Sequence, residues 1–453
     1  MSALRSILSG SFSKVEVWGT VLFITLALIW GTGFLKSEYQ WSKNAVIAPP
    51  VDFGVYYTAG KVVRLDDEKR IYSYSVRHDP ASGRTIVLNP QMRPPRPDSL
   101  FAAYDEEAKS NSQYLYPPFW AGVVAPFTTL EYKASSAVWH GLCFLFGVAA
   151  ILCVVLCCTS EPYEIAILTV LGAVGLHSSL PMSDLLLVGN IGSLVAFLFA
   201  LGVLCHERLP KLSSLAIAIA VFIKLTPIAI IPVFILRKRV SWIASFIVWS
   251  AILLFTSIIY LGAENHVEFL TKVLPSMSDG VPSINNKSLL TIIGALFEGQ
   301  FFSESEIAGG SYVSSSALPG SIFKVMAAVS YIVLLWFLGA RKKGESDLGI
   351  ELYLVAIWSL LFSPVVWRHG YILGFAAALF AWLHPSTKEV SKGWLLLLAL
   401  GAFLAFSPIS ALVSTLSPSF GLQIVSFVLM PIGLVIYALF YIFWLLGTRS
   451  TSS

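Results

Sequence analysis

Residues 212–236 read LSSLAIAIAVFIKLTPIAIIPVFIL, an apolar run of membrane-crossing length that carries Lys224 near its middle and Pro227 and Pro232 beyond it. A lysine at the centre of a spanning helix costs about 2.5–3.5 kcal/mol. Basic residues flank the run on both sides, His206-Glu207-Arg208 with Lys211 before it and Arg237-Lys238-Arg239 after it. A single crossing would put those clusters on opposite faces of the membrane, against the preference of basic loops for the cytoplasm. Two half-length helices meeting near Lys224 remove both conflicts. They enter from the cytoplasm, turn near the outer face and return, since broken helices are tolerated where they line a cavity.

Outward from this segment, further hydrophobic runs lie near 135–158, 164–180, 185–205, 240–262, 321–339, 350–363, 369–384, 393–413 and 422–446. Another, at 17–35, follows Arg5 and Lys14 and lacks an A-x-A-like cleavage site, so it reads as an uncleaved first helix with a cytoplasmic N-terminus. With the broken pair, the count is about twelve crossings with both ends cytoplasmic. Arg341-Lys342-Lys343 and Lys388 with Lys392 then also fall inside.

Composition supports the same class. Hydrophobic residues make up 56% of the 453 and charged residues 12%, with a mean hydropathy of +0.76, too apolar for a soluble domain and fitting an all-α polytopic membrane protein. The net charge of +4 comes mostly from basic clusters between apolar runs. It reports topology and contact with anionic head groups, not nucleic acid. The five cysteines, Cys143, Cys153, Cys157, Cys158 and Cys205, fall in or beside the runs and read as small apolar packing residues.

The chain therefore reads as a single integral-membrane domain. It comprises a first helix (17–35), an extracytoplasmic loop with interfacial helices (36–115), a transmembrane core (116–262), a second extracytoplasmic loop (263–320) and C-terminal helices (321–446). A Ser- and Gly-rich stretch at 309–321 reads as flexible. No internal repeat is visible, and the large first loop has no counterpart in the second half, which weakens an inverted-repeat transporter reading.

This topology gathers polar groups at one face: Asp52, Tyr116-Pro117-Pro118, Gly189-Asn190, Lys224, Asn286-Lys287-Ser288 and Arg368-His369. Asp52 follows Pro49-Pro50-Val51 and precedes Phe53-Gly54-Val55-Tyr56-Tyr57, which predicts the start of an interfacial helix with its tyrosines at head-group depth. It can be an N-cap carboxylate, or, flanked by apolar residues that raise its pKa, a general base. Lys224 is either a snorkelling side chain or a phosphate ligand in a cavity. Arg368 and His369 are either interfacial anchors or groups that contact substrate and leaving phosphate. Asn286-Lys287-Ser288 matches a glycosylation sequon formally and is favoured here as a polar loop closing over the site. His78, His140, His177 and His384 show no ligand spacing.

In chain order, Asp52-Phe53-Gly54-Val55-Tyr56-Tyr57, Tyr116-Pro117-Pro118-Phe119, Gly189-Asn190, Lys224-Leu225-Thr226-Pro227, Asn286-Lys287-Ser288, and Ser363-Pro364 through Trp367 and His369 resemble glycosyltransferase family 87 over residues 17–385. These are integral-membrane enzymes of the C-type (GT-C) fold, related to the polyprenol-phosphate-mannose-dependent α-1,2-mannosyltransferases. The resemblance implies that Asp52 is the catalytic aspartate and that Lys224 and His369 line the donor site. Asn190, Lys287 and Arg368 join the donor-binding set, and Tyr56, Tyr57, Tyr116, Asn286 and Trp367 the acceptor site or pocket wall. Where the family more usually has Gln-Gly-Asn, this chain has Val188-Gly189-Asn190, and it also carries Arg368 before His369.

The implied reaction is inverting transfer of a single sugar, such as mannose, from a polyprenyl-phosphate donor to a lipid or glycan acceptor at the extracytoplasmic face of a plasma (bacterial inner) membrane. No clear second carboxylate accompanies Asp52 in this reading, so neither a divalent metal nor another cofactor is required. Two alternatives stand beside it: a transporter or flippase of a lipid-linked sugar, which makes no bond, and an oligosaccharide ligase or polymerase, which uses a lipid-pyrophosphate donor.

Overall fold

The computed structural model describes residues 51–66, 69–72, 76–78, 85–87, 103–105, 114–277, 286–299, 318–341, 348–384, 391–407 and 420–447. The first helix expected at 17–35, most of the stretch 309–321, and Lys342, Lys343 and Lys388 lie outside the described residues. The described part is helical apart from a short antiparallel ribbon, β1 (Val76–His78) with β2 (Thr85–Val87).

The helices begin with α1 (Val51–Leu65), α2 (Pro118–Val124), α3 (Tyr132–Cys158), α4 (Pro162–His177), α5 (Leu180–Val188), α6 (Gly192–Cys205), α7 (Pro210–Ile223), α8 (Ile231–Leu236) and α9 (Val240–Leu261). Residues 263–277 continue as helix with one π turn. Then follow α10 (Leu289–Glu298), α11 (Leu318–Gly339), α12 (Leu348–Leu361), α13 (Ile372–Leu383), α14 (Lys392–Phe406) and α15 (Phe420–Gly447). These bounds track the apolar runs closely. The helices α3, α9, α11 and the 427–446 part of α15 are long and apolar enough to span a bilayer, and α4 with α5 adds a fifth crossing if the pair, bent by 66°, is one span.

The segment that organised the sequence reading is broken where expected. α7 ends at Ile223, Lys224 is extended (φ −149°, ψ 123°), and a 3-10 turn over Thr226–Ile230 leads into α8. A second break falls inside the run read as continuous at 185–205. Ser179 caps α5, accepting from Met182 N, and Gly189 ends it in the left-handed region (φ 69°, ψ 36°), a conformation glycine adopts without the Cβ clash that penalises other residues. The chain therefore turns sharply at Gly189 and Asn190 before α6 begins.

The far end of the broken segment is held by charge. Fully buried Glu351 on α12 accepts from Arg237 Nε at 2.8 Å and from Arg237 Nη2, which also donates to Leu338 O at 2.9 Å. The end of α8 is thereby tied to the end of α11 and the start of α12.

Two apolar clusters fill the interior, one built around α12, α13 and α15 and the other around α1, α3 and α6. Tyr371 belongs to the first and its neighbour Ile372 to the second, so the turn that opens α13 sits where they meet. Helices α14 and α15 approach backbone to backbone: a Cβ on Gly433 would lie 2.5 Å from Gly401 O and 2.6 Å from Ala405 N.

The helix α1 begins where the sequence predicted. Nearly every side chain from Phe53 to Val63 is buried within the protein, Tyr56 and Tyr57 included. The aromatic residues explain this. Phe53 stacks on Trp139 at 5.8 Å, Tyr56 meets Trp120 and Trp139 edge-on at 5.9 and 6.2 Å, and Tyr57 meets Tyr132 edge-on at 5.2 Å. Burying each large apolar side chain contributes roughly 1.5–3 kcal/mol, with about 0.5–1.5 more per aromatic pair, enough to hold the helix against the rest of the protein.

Candidate active site

The site assembles where α1, the break between α5 and α6, and the turn before α13 converge. Asp52 is itself helical, in the first turn of α1, rather than at the cap position, and its side chain is 27% exposed. Asn190, from the second break, donates its Nδ2 to Asp52 Oδ2 at 2.5 Å, to Tyr116 OH at 3.0 Å and to Tyr56 OH at 3.3 Å. Its own Oδ1 accepts from Gly192 N at 2.8 Å, which fixes the amide's orientation with the nitrogen toward the carboxylate. Below it, Trp139 Nε1 donates to Gly189 O at 2.7 Å and Cys143 Sγ donates to Asn190 O at 3.5 Å. Asn190 is thus held on both its backbone and its side chain.

His369 approaches the same carboxylate oxygen from the 3-10 turn Arg368–Tyr371, with Nε2 3.9 Å from Asp52 Oδ2. Burial raises the Asp52 carboxyl above the usual carboxylate range; His369, the Asn190 hydrogen bond and the charge of Lys224 pull it back in part, and Asp184 pushes it up. Lys224, half-buried at the α7 break, thus acts on Asp52 through its charge.

One carboxylate in the site was not read from the sequence. Asp184 on α5 takes a hydrogen bond from Arg368 Nη2 on Oδ1 at 2.8 Å and sets Oδ2 3.5 Å from His369 Nδ1. This corrects the expectation that no second carboxylate accompanies Asp52. Asp184 sits in an apolar stretch, LPMSDLLLV, and an ionisable residue in such a stretch is the signal that points to it, because that position is costly without a functional or pairing role.

The polar loop closes onto the same turn. Asn286 pairs with Trp367 as an isolated antiparallel bridge, accepts from Val366 N at 2.8 Å on Oδ1 and donates Nδ2 to Pro364 O at 3.4 Å. Ser288 Oγ donates to Ser363 O at 2.8 Å, Lys287 N to Val366 O at 2.6 Å, and Tyr371 OH to Lys287 O at 3.2 Å. The buried Lys287 ammonium stands over the Phe427 ring at 4.7 Å. Burial and the positive charge of Arg368 lower Lys287 to about 7, against the opposing pull of Asp184.

Of the residues singled out in the sequence, Asp52, Tyr56, Tyr116, Asn190 and His369 are in direct mutual reach, and Lys224, Lys287 and Arg368 act on them through charge or through Asp184. Asn286 and Trp367 brace the loop. Tyr57 turns to the opposite side of α1, donating to Leu130 O at 2.9 Å.

Helices of spanning length enclosing two carboxylates, a histidine and an oriented amide define a polytopic membrane protein with an enzyme-like centre. The sequence profile of glycosyltransferase family 87 matches residues 114–364, more than half of the chain, and the chain belongs to that family. It is accordingly a membrane glycosyltransferase. Asn190, Asp184, Lys224 and the 286–288 loop lie inside the matched region, with Asp52 before it and His369 after it. No curated protein sequence matches the chain.

Proposed function

We propose that this glycosyltransferase moves a single sugar, with mannose the one its family resemblance implies, from a polyprenyl-phosphate donor to a lipid or glycan acceptor with inversion. The reaction takes place at the extracytoplasmic face of a plasma membrane, the bacterial inner membrane, in a fold of about twelve crossings. The observation that carries the reading is the Asp52 carboxylate itself: half-buried, raised in pKa, and gripped by Asn190 at 2.5 Å beside His369.

Asp52 takes the proton of the acceptor hydroxyl as that oxygen forms its bond to the anomeric carbon, and the bond from that carbon to the phosphate oxygen breaks on the opposite face. The polyprenyl phosphate leaves as an anion, and fixed positive charge in a site of low polarity stabilises its departure. Lys224 and Lys287 are the cations proposed for that role, with His369 beside them. Asn190 keeps the Asp52 oxygen directed while the proton arrives.

The proposed reaction needs no metal. Asp52 and Asp184 are instead engaged by Asn190, Arg368 and His369.

The test is sugar transfer by purified protein in nanodiscs, offered a panel of polyprenyl-phosphate sugars and nucleotide sugars with mixed membrane lipids as acceptors. Transfer from a polyprenyl-phosphate sugar that falls by about 100- to 10,000-fold in a folded Asp52→Asn variant is the expected result. Normal turnover by Asp52→Asn, or consumption of nucleotide sugars alone, overturns the mechanism. Donor movement across the bilayer without a new product supports the flippase reading instead.

A further inference from the structure

We propose that Asp184 is a positioning residue for His369: it fixes the imidazole with Nδ1 carrying the proton and Nε2 turned toward Asp52. The inference rests on the glycosyltransferase reading above and assigns a role to a carboxylate that reading does not use.

The geometry is two-pronged. Asp184 Oδ1 accepts from Arg368 Nη2 at 2.8 Å, and Oδ2 faces His369 Nδ1 at 3.5 Å. Arg368 and His369 are adjacent in one 3-10 turn, so a single carboxylate meets two consecutive side chains. A guanidinium is always charged, and its bond to Oδ1 fixes the carboxylate plane and keeps it an acceptor. The carboxylate opposite Nδ1 favours a proton on that nitrogen, as in the neutral Nδ1–H ring or the imidazolium, and a shortening of the 3.5 Å contact makes the hydrogen bond. A carboxylate behind an imidazole commonly sets tautomer and ring direction in this way.

The ring has little freedom to choose otherwise. His369 is 6% exposed and Asp184 12%. The turn that carries His369 is anchored by the bridge from Asn286 to Trp367, and its backbone runs beside Gly192, where a Cβ would lie 3.3 Å from His369 O. The charged groups around the ring are Asp52 on the Nε2 side and Asp184 with Arg368 on the Nδ1 side. Lys224 acts on Asp52, and Lys287 on Arg368 and Asp184.

The orientation has a chemical consequence. Once Asp52 has taken the acceptor proton, the new carboxylic acid sits beside Nε2, whose lone pair is free in the Nδ1–H form. Passing the proton to Nε2 restores the Asp52 carboxylate and leaves an imidazolium between two carboxylates. The 3.9 Å separation has to close to about 3 Å, or take in one water, for that transfer. Without Asp184 the ring can flip or change tautomer, and Nε2–H then faces Asp52 with no lone pair to offer.

Two measurements test this. In the transfer assay, Asp184→Asn should lower kcat about 10- to 100-fold with donor KM unchanged within about twofold. In a His369→Ala background the same substitution should cost nothing further, and the acid limb of the pH profile should move in Asp184→Asn but not in the double variant. An undiminished kcat, a loss confined to donor KM, or a full additional loss on top of His369→Ala overturns the assignment. If Asp184→Asn does not fold, Asp184→Glu, which keeps a charge for Arg368, takes its place in the same cycle. The second measurement does not depend on turnover: NMR of nitrogen-labelled histidine in nanodiscs, with the His369 signal identified by its loss in His369→Ala. A ring protonated at Nδ1 is expected. A neutral ring protonated at Nε2 overturns the inference whatever the donor proves to be, whereas failure of transfer by wild-type protein overturns only the donor reading.

Discussion

Replacing Asn190 by alanine tests the centre of the site most directly. Asn190 Nδ2 donates to Asp52 Oδ2 at 2.5 Å, and that bond lowers a carboxyl that burial holds above its usual range. A hydrogen bond to a charged group is worth about 1.5–3 kcal/mol. At 1.36 kcal/mol per pKa unit, losing it should raise Asp52 by about 1–2 further units. The assay is the pH dependence of kcat/KM, which reports the free enzyme. The acid limb, where activity rises as Asp52 loses its proton, should move to higher pH by that amount. Limb position does not depend on how much of the sample is folded, so the shift is readable in a weakened variant. Some weakening is expected: the Tyr56 and Tyr116 hydroxyls and Gly192 N lose a partner, a cost of about 2–4 kcal/mol in thermal or denaturant unfolding. Asn190→Asp should move the limb further still, because two carboxyls at this spacing share one proton. An acid limb that stays in place in Asn190→Ala would refute the reasoning, since either Asp52 is not the titrating base or Asn190 does not hold it.

Three further outcomes follow from other parts of the molecule. Lys287, lowered to about 7, should give a basic limb in donor kcat/KM as it loses its charge above that pH, and Lys287→Met should abolish the limb and lower the plateau. Because the unfolded lysine keeps its proton to about 10, the same titration makes the wild-type fold more stable as pH rises from about 7, an increase in unfolding free energy that Lys287→Met should lack. Glu351→Ala leaves Arg237 buried without its carboxylate and should destabilise by about 3–5 kcal/mol in detergent unfolding, with the donor KM of the folded fraction unchanged. Gly433→Ala puts a methyl against Gly401 O and Ala405 N and should cost about 1–3 kcal/mol by forcing α14 and α15 apart, while Gly141→Ala, which meets nothing within 4 Å, should leave the melting temperature unchanged.

Much of the architecture is legible in the chain because apolar runs and their breakers are local. The break at Lys224 follows from an ammonium in an apolar run flanked by basic clusters, and it occurs at that residue. The limits of α3, α9 and α15 follow from run length. The break at Gly189 is less visible, since 185–205 is apolar apart from Asn190 and Ser193, and a left-handed glycine is a backbone choice that hydropathy does not report. The role of Asp184 is not legible locally, because it falls between two apolar runs and its partner Arg368 lies 184 residues away.

The sequence by itself determined that this is a helical membrane protein, where its helices run, and that Asp52 opens a helix after an apolar start, because these depend on transfer free energies and on neighbours in the chain. The tertiary structure decided what Asp52 touches. Asn190 reaches it across 138 residues through a glycine turn, His369 comes from the turn before α13, far along the chain, and Tyr56 and Tyr57 pack into an aromatic core. Packing of distant helices governs those contacts, and no local pattern of hydropathy encodes which polar groups that packing brings face to face.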